Sequence, residues 1–142
     1  MTTNEMFELS GEIYSRLNDY RHDMASAIIV VMNERGVKEI DLKKTREDCK
    51  KNGLTDVVKR LEDIANDHIV DILYKDGETI SCYIDRVIIL DMGFVYCVCS
   101  GVQDPGFEIT ENVRTLNIYD TISVMELVAE YFYVMDETAS KK

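Results

Sequence analysis

The chain has 142 residues, 46% of them hydrophobic and 30% charged, and a net charge of −11. That length and balance describe one globular domain, able to bury about two-thirds of its unfolded surface without help from disulfides or metal. They exclude a disordered chain, and the charge disfavours nucleic-acid binding over the surface as a whole, because most of it repels phosphate.

The charge is uneven. Residues 1–34 carry six acids and two bases, residues 35–60 carry nine bases and five acids, and residues 61–142 carry sixteen acids and five bases. Only the middle segment offers a local basic patch. The longest apolar run, Ala27 to Met32, is far short of the roughly 18 residues a membrane span needs. The start, Met1-Thr2-Thr3-Asn4-Glu5, lacks the basic and apolar regions of a signal peptide. A cytoplasmic location is the expectation, where Cys49, Cys82, Cys97 and Cys99 would stay reduced.

In chain order, Met6, Leu9, Ile13, Leu17, Tyr20, Met24, Ala27 and Val31 form one helical stripe, predicting a long helix from about Asn4 to Glu34. Asn4 or Thr3 is its expected cap, and Gly36 its left-handed C-cap residue. A straight helix of that length would reach roughly 45 Å, so a break is expected near Asn18 to Asp23. Ile28 to Met32 is β-branched enough for a strand, but the stripe passes through it in phase and favours helix.

Ile40 and Leu42 share a face of a short strand. A short helix follows at about Thr45 to Lys51, with Thr45-x-x-Asp48 as a weak capping box, and Asn52-Gly53 stops it. A second helix runs from Thr55, its N-cap, to about Asn66. From His68 the period switches to two. His68 to Lys75 and Glu78 to Asp85 read as strands, joined by an Asp76-Gly77 type I′ hairpin. Val87 to Leu90 continues them, with Arg86 marking a bend or bulge. Asp91-Met92-Gly93 turns the chain into Phe94 to Ser100. Phe107 to Ile109 and Val113 to Ile118 could add edge strands.

A last helix is expected from Asp120, as N-cap, to about Asp136, with residues 137–142 as a disordered tail. Ile122, Met125, Val128, Ala129, Phe132 and Met135 form one apolar face of it, and Val124, Leu127, Tyr131 and Val134 a second. Only Ser123, Glu126, Glu130 and Tyr133 make a polar stripe. The fold class is therefore α+β in a single domain: an antiparallel β-meander of four to five strands (about 68–118) covered on one face by the long N-terminal helix and the apolar C-terminal helix.

Cys82, Cys97, Cys99 and His68 are the only weak metal candidates. Three thiols and an imidazole would suit tetrahedral zinc, yet i, i+2 thiols on a strand diverge, and core packing is the simpler reading. Residues Thr45 to Ile64 invite a helix-turn-helix reading, which would make Lys43, Lys44, Arg46, Lys50, Lys51, Lys59 and Arg60 a nucleic-acid patch. Lys59 and Glu62 fall where such a helix should turn apolar groups inward, so two ordinary amphipathic helices are expected. Asp104, Glu108 and Glu111 in a loop region, with Glu126 and Glu130 on one helical stripe, suggest a nucleic-acid mimic, although an acidic surface is also an ordinary route to solubility. No G-x-G-x-x-G, G-x-x-x-x-G-K or H-E-x-x-H motif occurs, and His22 and His68 are the only neutral-pH bases.

No cofactor is expected. The surplus apolar face of the last helix predicts a homodimer, with Val124, Leu127, Tyr131 and Val134 at its interface. The expectation is a non-catalytic interaction or regulatory module with an unknown protein partner. A DNA-associated regulator, an acidic nucleic-acid mimic, and an enzyme whose site assembles only in three dimensions stand as alternatives.

Overall fold

The structure, a computed structural model, describes residues 2–17, 24–73, 77–90, 95–104, 106–112 and 118–140. The N-terminal stripe is carried by two helices, α1 (Thr3–Leu17) and α2 (Met24–Arg35). Arg35, at the end of α2, pairs with Glu8 and Glu12 of α1, so the helices run back along each other. Doubling back lets Met6, Leu9 and Ile13 share a core with Ile28, Val31 and Met32. The expected break at 18–23 lies outside the described residues, and Ile28 to Met32 is helical.

The α1 cap is Thr2 rather than Thr3 or Asn4. The Thr2 hydroxyl accepts from the Glu5 N–H at 3.2 Å, and Thr3 is free to donate to Asp48 at 3.0 Å. At the end of α2 the expected left-handed Gly36 is found, at φ 68°. Val37 N–H bonds Met32 C=O at 2.9 Å and Gly36 N–H bonds Asn33 C=O at 3.2 Å, which satisfies carbonyls a helix end otherwise orphans.

Strand β1 (Glu39–Asp41) is short, and Leu42 already begins α3 (Leu42–Lys51). The expected Thr45 capping box is not formed. Asp41 is the N-cap instead, accepting from Lys44 N–H at 2.9 Å, while the Thr45 hydroxyl donates back to Asp41 C=O. The Gly53 turn repeats the Gly36 geometry and leads into α4 (Thr55–Asp67). Leu54 is its N-cap, without a side-chain bond, so Thr55 is its first helical residue and not its cap.

Strands β2 (Val70–Leu73), β3 (Thr79–Ile89), β4 (Val95–Gly101) and β5 (Glu108–Asn112) form the antiparallel meander. The hairpin after β2 departs from a two-residue turn. Asp76-Gly77 alone in the turn would oppose Leu73 to Ile80, whereas Leu73 opposes Thr79. The one-residue difference places Ile72 against Ile80 and Val70 against Cys82, so the apolar side chains share the core face. His68 is not in a strand but at the C-cap of α4. Of the proposed edge strands Phe107 to Ile109 and Val113 to Ile118, the first is met from Glu108 on, in β5; of the second, 113–117 lies outside the described residues and Ile118 begins α5.

β3 is the organising strand. Its one edge pairs with β2 over Thr79 to Cys82 and with β1 over Arg86 to Ile88; its other edge pairs with β4. Between Ile84 and Arg86 the register with β4 shifts, leaving Asp85 as an inserted residue. The sequence expectation of a bulge at Arg86 is met one residue earlier. Strict alternation after Ile84 would turn Val87 and Ile89 to the wrong face; the insertion restores them to the core.

Helix α5 (Ile118–Ser140) starts before Asp120, which therefore lies inside the helix rather than capping it. It also extends past the expected end at Asp136, so residues 137–140 continue the helix. Glu137 accepts from Arg60 at 2.7 Å and the Thr138 hydroxyl donates to Val134 C=O. Residues from all five helices join the sheet residues Ile40, Ile72, Cys82, Ile84, Val87, Ile89, Val95, Cys97 and Cys99 in one core. No helix among the described residues is long and apolar enough to cross a membrane.

Candidate functional site

Two features are not explained by packing alone. The first is a polar cluster inside the fold. Because α3 follows β1 directly, it lies beside the point where β3 changes edge partner, and Arg46 reaches the bulge. Arg46 Nη2 is 3.9 Å from Asp85 Oδ1, with the two side chains only 16% and 3% exposed. Arg46 Nη1 donates to the Tyr131 hydroxyl at 2.7 Å, and that hydroxyl donates to Leu61 C=O at 3.2 Å. The cluster thus ties α3, α4 and α5 to the bulge. Asp85 Oδ2 is buried and has no hydrogen-bond partner among the described residues.

Burial pushes the Tyr131 phenol above its ordinary range; Arg46 opposes the shift, and Asp85 and Glu62 add to it. A raised folded-state pKa leaves stability untouched below the unfolded value near 10 and removes it as pH rises beyond. Urea unfolding between about pH 9 and 11 should show the wild type losing up to about 1.4 kcal/mol per pH unit more than Tyr131→Phe. Equal slopes would place the phenol in contact with solvent.

The second feature is the sheet face turned away from the core. Cross-strand pairing sets its rows: Glu39, Ile88 and Tyr96; then Asp41, Arg86, Val98 and Thr110; then Tyr83, Ser100 and Glu108; then Asp71 and Ser81. Ile88, Tyr83, Tyr96 and Val98 are absent from the core cluster although chemically suited to it, because they point the other way. Val98 and Ser100 are buried, Tyr83, Ile88 and Tyr96 half-buried, and Asp71 and Glu108 exposed. Among the described residues, an apolar and aromatic centre is therefore rimmed by Glu39, Asp41, Asp71 and Glu108. The one base on it, Arg86, donates to Glu39 at 3.0 Å.

The residues singled out from sequence are placed differently. Cys82, Cys97 and Cys99 do share the core face, but His68 is on another element, 2.5 Å from Glu130. Among the described residues no three His, Cys, Asp or Glu side chains gather as a ligand set. Burial first, then Asp85 and Asp71, raise the Cys82 thiol, which keeps it protonated and a poor ligand or nucleophile at neutral pH.

The basic patch is dispersed. Arg46 is turned inward and Arg60 is paired with Glu137, while Lys44, Lys50, Lys51 and Lys59 are exposed and Lys43 half-buried. On α4, Lys59 and Arg60 share the surface with Asp56, Glu62, Asp63 and Asp67. Asp104 accepts from Gly106 N–H within its own turn; Glu126 and Glu130 are exposed on α5, and the Glu111 side chain and His22 lie outside what is described.

The expected dimer interface is corrected most plainly. Val124, Leu127, Tyr131 and Val134 are 3%, 1%, 0% and 2% exposed within a single chain. Both apolar faces of α5 are covered intramolecularly, because the helix is central, packed against α1, α2 and α4. Among the described side chains of α5, only the predicted polar stripe, Ser123, Glu126, Glu130 and Tyr133, is exposed.

No family model matches this chain, and no curated protein or solved structure matches it either.

A cleft of about 250 Å³ between α1 and the end of α2 is lined by Glu5, Leu9, Arg35 and Val37. Arg35 is already engaged by Glu8 and Glu12, so the charge this cleft presents is the carboxylate of Glu5. The buried cluster is enclosed and structural in chemistry. On the outer sheet face the half-buried Tyr83, Ile88 and Tyr96 lie beside the exposed carboxylates of Asp71 and Glu108, a mixture of apolar and charged groups of the kind interfaces use.

Proposed function

We propose that the protein is a non-catalytic interaction module that engages a protein partner through the outer face of its sheet. One observation supports the reading: the half-buried Tyr83, Ile88 and Tyr96 lie on the sheet face away from the core cluster, around a buried Val98, while the described apolar faces of α5 are covered within the chain. Tyrosine supplies large contact area with little rotamer entropy to lose, and is enriched where interfaces concentrate binding energy. Tyr83 is fixed before a partner arrives, because its hydroxyl donates to Asn66 Oδ1 of α4 at 3.0 Å, which lowers the ordering cost of association.

A photo-crosslinking residue placed at Ile88 should yield a discrete adduct in extract of the source cells, competed away by unlabelled protein. The same residue at Glu62, exposed on α4, should not. No adduct at 88, or the same adduct from both positions, would defeat the proposal. A second copy of the chain as the captured species would make the outer sheet face, rather than α5, the homodimer contact.

A further inference from the structure

We draw no further inference here: the strongest candidate, the buried cluster of Arg46, Asp85 and Tyr131 at the β3 bulge, belongs to the site already described, and nothing in the structure shows what would reach its one unpartnered carboxylate oxygen.

Discussion

Arg46→Met is expected to destabilise the protein by about 3–5 kcal/mol, while Asp85→Asn costs far less. The asymmetry follows from where each charge can go. Asp85 is 2% exposed in a strand bulge, and its second oxygen already lacks a partner. Without Arg46 its carboxylate would be alone in the interior, and the Tyr131 hydroxyl would lose the donor that holds it at 2.7 Å. Without the Asp85 charge, Arg46 keeps Tyr131, retains some contact with water and is not stranded. Chemical denaturation of the two single variants and of Arg46→Met/Asp85→Leu forms a double-mutant cycle. The double variant should recover most of the loss, because it removes both ions rather than one. A deficit below about 1 kcal/mol for Arg46→Met would mean the pair is hydrated and not part of the core.

This cluster also bears on the outer sheet face. The bulge at Asp85 is what allows Tyr83, Arg86 and Ile88 to point outward while Ile84, Val87 and Ile89 point inward. Its geometry is held from below by Arg46. On the proposed reading, the face is therefore organised by residues that would not touch the partner.

The alternation in β3 and β4 was legible because a half-buried strand writes its two faces directly into the sequence, as Ile80, Cys82 and Ile84 do against Thr79, Ser81 and Tyr83. Gly36 was legible for an equally local reason: few residues accept its φ of 68°. The errors came where two local signals competed. Asp41 sat inside an apparent strand pattern, hiding its role as the cap of α3. The cluster was not legible at all. Arg46 and Tyr131 are 85 residues apart, and each looked ordinary in its own segment, one in a basic run and the other in an apolar helix face. Two residual clues were present: an acid, Asp85, next to Arg86 where the apolar alternation of the strand changes phase, and a single hydroxyl, Tyr131, on a helix face with no other polar group. The outer face needed the register as well as the alternation, since only pairing brings Ile88 beside Tyr96 and Arg86 beside Val98.

Leu127→Ala separates the two readings of α5. An apolar face on both sides of a helix predicts either an interface between chains or a helix central to one chain, and sequence periodicity is identical for both. Leu127 is 1% exposed in the single chain, with Val128, Tyr131 and Phe132 at 0% beside it. Truncating it therefore removes buried methyl groups and leaves a cavity, at an expected cost of about 2–5 kcal/mol. The loss should appear in urea unfolding with an unchanged dependence on denaturant, and should be independent of protein concentration. The mass measured by light scattering should be the same for variant and wild type. An interface residue would behave in the opposite way, because its removal would halve the mass and make the midpoint vary with concentration, with little intrinsic cost to a folded monomer. A concentration-dependent midpoint in the wild type, abolished by Leu127→Ala, would return α5 to the dimer contact.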